Sequence, residues 1–253
     1  MFGQNPVRKF DGGDGQSLAV QSIFYTIQGE GPYSGHPAVF IRLAGCHLTC
    51  SFCDTEFESG INNVMPLDMI VAKAAESMQP IRTPSAFAQM APIVVVTGGE
   101  PLRQEVGPLT GALLRSGFMT VQFETAGNLW RPSLLPHLAG GSAVLVVSPK
   151  TPHVHPDIVR WAQHYKYVLS ADNVAPDDGL PSRCPMPGIK RPPARPWTVP
   201  DWVYLQNRIT IWVSPCDDHE PEKNARNVEA AKRSALQFGH RLSLQTHKLL
   251  GLE

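Results

Sequence analysis

Short β-rich runs alternating with stretches of helical period limit this chain's fold more than any other feature. The runs are SIFYTIQ (22–28), AVFIRLA (38–44), IVVVTGG (93–99), MTVQFET (119–125), SAVLVVSPK (142–150), YKYVLS (165–170), ITIWVSP (209–215) and RLSLQTH (241–247). Between the second and third, Leu67, Ile70, Val71, Ala74, Ala75 and Met78 fall on one helical face. Residues 108–116 predict a second helix that Gly117 would terminate. Residues 222–238 predict a third, with Ala225, Val228, Ala231, Ala235 and Phe238 as its apolar stripe. Strands that are apolar on both faces need helices on both sides, which predicts an α/β fold with a mostly parallel sheet, a partial or modified (β/α) barrel.

That architecture has a functional corollary, because ligands gather at the carboxyl ends of its strands. TGGEP, FETAGN, SPK and QTHK are all expected there. Residues 175–200 are rich in proline, which forbids regular structure, so a surface loop or lid is expected. A length of 253 residues suits one domain over 18–253, behind a flexible Gly- and Asp-rich leader over 1–17. The formal charge of zero gives no global field to attract nucleic acid or an anionic membrane, so anionic ligands must be held locally. No signal-like segment and no apolar run long enough to span a bilayer is found, and a cytoplasmic location is expected.

In a reducing compartment the five cysteines argue for metal or catalysis over disulfides. Cys46, Cys50 and Cys53 are spaced C-x3-C-x2-C, whereas Cys184 and Cys216 stand apart and read as ordinary thiols. A closed zinc site needs four ligands, commonly two short pairs, and no second pair exists. His47, adjacent to Cys46, is badly placed to reach the same metal. Three thiolates on a four-iron cluster leave one iron open, and an open metal position is what chemistry requires.

This trio, in a loop directly after a strand, resembles the cluster motif of the radical S-adenosylmethionine (SAM) superfamily. The resemblance implies a [4Fe-4S] cluster on Cys46, Cys50 and Cys53, SAM chelated at the open iron, and Phe52 near the adenine. VVVTGGEP resembles the superfamily's GGE motif and implies that Gly98, Gly99 and Glu100 meet the SAM amino group, with Thr97 just before them facing substrate. By the same likeness Glu124 and Thr125 lie near SAM or substrate, with Glu124 the candidate catalytic residue, and Ser148 and Lys150 contact the SAM ribose and carboxylate.

Further motifs narrow the family. QGEG places an amide and a carboxylate between glycines, suited to reading a heterocycle edge, and Arg42 offers a fork for a carboxylate. Next to the cluster, CDTEF supplies oxygen ligands of the kind magnesium prefers. With QTHK near the C-terminus, the ordered set from about residue 22 onward resembles the 7-carboxy-7-deazaguanine synthase family. That resemblance implies conversion of 6-carboxy-5,6,7,8-tetrahydropterin to 7-carboxy-7-deazaguanine with loss of ammonia, using SAM, the cluster and Mg2+. It implies a pterin site of Ile27, Gln28, Gly29, Glu30, Gly31, Arg42, Thr97, His247 and Glu253, with Thr55 on magnesium. A reductant such as flavodoxin or ferredoxin, a homodimer, and no direct contact with nucleic acid or membrane are implied too. The chain departs from the pattern at Ala126, where asparagine is usual, in the proline-rich loop, and at VSPCDD. Two other readings stand beside this one: an activating protein for a glycyl-radical enzyme, and a non-catalytic iron–sulfur protein.

Overall fold

The computed structural model describes residues 5–53, 55–78, 93–198 and 209–252. Strands β1 (Ser17–Ile27) and β2 (Pro37–Leu43) form an antiparallel hairpin, and β3 (Val64–Pro66) pairs antiparallel with β1. Beyond β2 come β4 (Ile93–Gly98), β5 (Val121–Thr125), β6 (Ala143–Val147), β7 (His164–Leu169), β8 (Thr210–Pro215) and β9 (Arg241–Leu242), all parallel. The sheet order is β3-β1-β2-β4-β5-β6-β7-β8-β9, so its edges do not meet and the barrel is partial, as the alternation predicts. Helices α1 (Leu67–Ser77), α2 (Gly107–Arg115), α3 (Leu135–Ala139), α4 (Pro156–Trp161) and α5 (Pro221–Phe238) fill the crossovers, and a short α6 (Thr246–Leu249) follows β9. No described helix is long and apolar enough to cross a membrane.

Side-chain alternation along β4 shows why its run is apolar throughout. Val94 and Val96 join the large core, with Leu109, Leu113 and Phe123, while Ile93 and Val95 face the other way into a smaller cluster with Ala38, Tyr33 and Phe40. Each such fully buried side chain contributes about 1.5–3 kcal/mol by leaving water. The small cluster closes the amino-terminal end of the half-barrel. Thr97, in phase with Ile93 and Val95, is thereby aimed into the open end.

Two expectations need correction. The run at 241–247 is a strand only over Arg241–Leu242; the chain then turns into α6, which carries His247 and Lys248 on a helical turn. The stripe expected for α5 is rotated, since Ala225 and Val228 are exposed while Asn227, Ala231 and Ser234 are buried. Polar anchoring decides this face: Asn227 Nδ2 donates to the Cys216 carbonyl at 2.9 Å, and Ser234 Oγ donates to the Gly179 carbonyl at 2.7 Å. QGEG, which is not among the motifs expected at the carboxyl strand ends, follows a strand antiparallel to β2 and enters from the end opposite the other motifs.

Both irregular segments bear on the cysteine loop. Ahead of β1, Val7 bridges to Cys46, the Arg8 amide donates to the Cys46 carbonyl at 2.7 Å, and the Asp11 amide donates to the Arg103 carbonyl at 2.9 Å. In the proline-rich loop, the Pro185 carbonyl accepts from the Ser51 amide at 3.0 Å, and Met186 Sδ lies 3.9 Å from Cys50 Sγ. Residues 199 and 200 of that loop lie outside the described residues.

Candidate active site

A cavity of about 260 Å³ opens at the carboxyl ends of β4 to β8. Its lining brings together Cys46, Cys50, Phe52, Cys53 and Thr55 with Arg42, Thr97, Gly98, Gly99 and Glu100, and with Glu124, Thr125, Ser148, Lys150, Gln28, Glu30 and His247. Ile27, Gly29 and Gly31 do not line it. Gly29 has a different service: a side chain there would overlap the His247 ring, so glycine lets α6 close down on the loop. Glu253, like Asp54 of the CDTEF motif, lies outside the described residues.

The cysteine loop is fixed by backbone. Gly98 has φ +113°, and a side chain on it would run into the Leu43 backbone, while one on Gly99 would run into the Gly45 carbonyl. These close approaches let the Gly99 amide donate to the Leu43 carbonyl and the Glu100 amide to the Gly45 carbonyl, each at 3.0 Å. The GGE turn and the strand end leading to Cys46 are thus one piece. The three cysteines are not joined in disulfides, and burial pushes the Cys46 thiol up to about 12 and raises that of Cys50. Thiols so placed favour the thiolate only beside a strong positive charge, which is what a metal centre supplies.

Among the described residues no three His, Cys, Asp or Glu side chains converge on a single metal ion. Soft thiolates from one eight-residue loop in the wall of a cavity fit a multi-iron cluster with an open position better than one tetrahedral ion.

Glu100 is fully buried, and burial raises its carboxyl despite hydrogen bonds from Thr125 Oγ1 at 2.7 Å, the Ala126 amide at 2.8 Å and the Leu102 amide at 3.0 Å. A carboxylate held by three donors, with no cation hydrogen-bonded to it among the described residues, is prepared for an ammonium group of a ligand. Lys150 donates to Ser148 Oγ and sits 5.3 Å from the Phe52 ring centroid, and burial lowers its pKa. The SPK pair and the cysteine-loop aromatic therefore share one wall, although they are far apart in sequence.

Across the cavity stands a charged network. Gln28 Nε2 donates to Glu124 Oε1 at 3.1 Å, and Lys166 Nζ lies 2.8 Å from Glu30 Oε2 and 3.7 Å from Glu124 Oε2. Burial alone would raise Glu30; the charge of Lys166, hydrogen bonds from Lys166 and Ser214, and nearby His247 more than reverse it, leaving its pKa lowered. The guanidinium of Arg42 is stacked 4.8 Å over the Phe24 ring. Sequence reasoning missed Lys166 and Ser214. The available signal was a lysine inside the otherwise apolar and aromatic YKYV, which a strand buried on both faces tolerates only with a partner.

Fold and site together define the class: a partial (β/α) barrel whose strand ends bring three cysteines, a GGE turn and a polar ligand pocket into one cavity. The chain is 44% identical over 260 residues to the 7-carboxy-7-deazaguanine synthase of Rhodospirillum rubrum, covering 99% of each chain. It is 37% identical over 258 residues to that of Rickettsia prowazekii, covering 100% of this chain and 96% of that one. The chain belongs to the 7-carboxy-7-deazaguanine synthase family. In fold it resembles the crystal structure of QueE from Escherichia coli, with a TM-score of 0.58 and 21% identity over 90% of this chain and 93% of that one. No family model matches the chain.

Proposed function

We propose that this protein converts 6-carboxy-5,6,7,8-tetrahydropterin to 7-carboxy-7-deazaguanine with loss of ammonia, as a radical SAM enzyme of deazapurine biosynthesis. The observation that carries the reading is the meeting, in one cavity, of the three cysteines with Glu100, Lys150, Gln28, Glu30, Arg42 and His247, in a chain whose full-length relatives carry that synthase name. Cys46, Cys50 and Cys53 would hold a [4Fe-4S] cluster, which with bound SAM supplies a 5′-deoxyadenosyl radical. Gly98, Gly99 and Glu100 take the SAM amino group, Ser148 and Lys150 its ribose and carboxylate, and Phe52 and Thr125 its surroundings.

The chain's own task is positioning. Gln28 and Glu30 read the donor and acceptor edge of the pterin, Arg42 and His247 face its carboxylate, and Thr97 borders it. Glu124, on the inner face of β5, is the candidate group for moving a proton during ring contraction. Thr55 is the proposed protein contact of Mg2+; its support is a place in the cavity wall two residues after Cys53. A one-electron donor such as flavodoxin or ferredoxin, a homodimeric state and a cytoplasmic location complete the reading.

The test is anaerobic reconstitution with iron and sulfide, followed by SAM, reductant and 6-carboxytetrahydropterin, with mass spectrometry for 7-carboxy-7-deazaguanine. Product supports substrate and reaction together. Formation of 5′-deoxyadenosine without it would keep the SAM chemistry and remove the pterin. Unchanged magnesium dependence in Thr55→Ala would remove the metal assignment.

A further inference from the structure

Lys166 stands on the inner face of β7 at 7% exposure. An ammonium so buried must be paired, because isolating it in a low-dielectric interior costs more than a fold can carry. Its partners come from two distant places: Glu30, in the loop after β1, and Glu124, on β5. Gln28 completes a ring. Its Oε1 accepts from the Glu30 amide at 3.2 Å, and its Nε2 donates to Glu124 Oε1 at 3.1 Å. Outside the ring, Ser214 Oγ lies 3.0 Å from Glu30 Oε1, and Gln122 Nε2 donates to Glu124 Oε1 at 3.2 Å. The other charged or titratable groups acting on it are Lys150, after β6, and His247 on α6, with Lys248 behind His247.

All four ring members line the cavity. Two carboxylates drawn to one ammonium would repel one another and move apart if no cation lay between. The amino-pyrimidinone edge of a pterin presents N–H donors, and a carboxylate offers both its oxygens to such donors only while ionised. We propose that Lys166 is a positioning residue for the pterin: its ammonium, shared by Glu30 and Glu124, keeps Glu30 ionised and holds the two carboxylates at a fixed spacing for the donor edge of the substrate. This inference rests on the pterin reading above.

The test is binding, measured anaerobically on the full chain loaded with cluster and SAM, using 6-carboxytetrahydropterin as the probe from pH 6 to 9. For Lys166→Met, affinity at pH 7 is expected to fall roughly tenfold or more, and to recover as pH rises and Glu30, deprived of its cation, loses its proton. Wild-type affinity is expected to lack that rise. A variant with wild-type affinity, or one weakened equally at every pH, overturns the proposal. If Lys166→Met does not fold, the double variant Glu30→Gln, Lys166→Met removes both charges: recovery of cooperative urea unfolding supports the shared ion pair, and no recovery overturns it. Wild-type protein that binds no pterin overturns the functional reading itself, a separate and recognisable failure.

Discussion

Glu100 and Glu30 are both buried carboxylates of one cavity, yet their surroundings drive them in opposite directions. Glu100, at the end of β4, is held by two backbone amides and one hydroxyl, and burial wins: its pKa is raised. Glu30, against β7 and β8, has the ammonium of Lys166 at 2.8 Å, and the cation wins: its pKa is lowered. Neutral dipoles only partly replace water around a charge, whereas an opposite charge at contact reverses the balance. On the cysteine side Glu100 therefore meets a cation only through the field of Lys150, whereas on the far side Glu30 holds one at contact. Each side is built accordingly, one from glycine and backbone, the other from long side chains that reach across the barrel.

Breaking the backbone side should have the largest effect. In Gly98→Ala the new methyl group meets the Leu43 backbone, which cannot withdraw, and the residue keeps a φ of +113° that side chains disfavour. A loss of about 3 kcal/mol or more is expected, since overpacking and backbone strain add. Urea unfolding of the purified variant measures it. A loss under about 1 kcal/mol would mean that the turn and strand are looser than their hydrogen bonds require.

The two carboxylates can then be compared directly through Glu100→Gln and Glu30→Gln. Glu30→Gln leaves Lys166 short of its nearest charge, so a loss of about 3 kcal/mol is expected at neutral pH. Glu100→Gln removes a buried charge with no cation hydrogen-bonded to it among the described residues; stability should stay within about 1 kcal/mol of wild type, while SAM affinity falls about 30-fold or more. The pH dependence has opposite sign at the two sites. With a lowered pKa, Glu30 contributes stability above its ordinary carboxylate range and loses it as pH falls through its folded value; with a raised pKa, Glu100 favours the fold at low pH and loses that contribution as pH rises through its folded value. Wild type minus Glu30→Gln should therefore shrink on acidification, and wild type minus Glu100→Gln should shrink toward neutrality. Equal trends for both variants would dissolve the contrast.

The same division explains what was legible in the sequence. The cysteine side was readable because its chemistry is local: three thiols within eight residues, and two glycines and a glutamate in one turn after an apolar run. The parallel sheet was readable for a related reason, since a strand covered on both faces declares itself by continuous apolar residues. The far side depends on approach between Gln28, Glu124, Lys166 and Ser214, which no spacing announces, and Lys166 sits in a run that reads simply as a strand. The face of α5 was misjudged because apolar periodicity gives no weight to Asn227 or Ser234, whose hydrogen bonds to the loops after β7 and β8 turn the helix. The end of the sheet was misjudged because Arg241–Leu242 pairs only along Trp212 and Val213, too short a contact to hold the following residues extended.

The smallest expected effect concerns the piece that ties the far side to the C-terminus. Lys248 Nζ lies 2.9 Å from Asp217 Oδ2, and this hydrogen bond, with others from the His219 amide and Asn224, holds the Asp217 carboxyl well below its usual range. Both partners are partly exposed, so solvent screening leaves the pair worth at most about 1 kcal/mol. Its consequence for function is positional: α6 carries His247 next to Lys248, and Gly29 leaves just the room the His247 ring takes up. In Lys248→Ala we expect stability to change by less than about 0.5 kcal/mol, while KM for the pterin rises by roughly twofold to threefold as His247 gains freedom. The stability difference from wild type should be present near neutrality and vanish as acid protonates Asp217, because the pair contributes only while that carboxylate is charged. A larger rise in KM with an unchanged kcat would show that α6 is held chiefly by this bridge, and no rise at all would assign the placement of His247 to the contact with Gly29 and to Thr246, whose amide lies 3.3 Å from the Gly29 carbonyl.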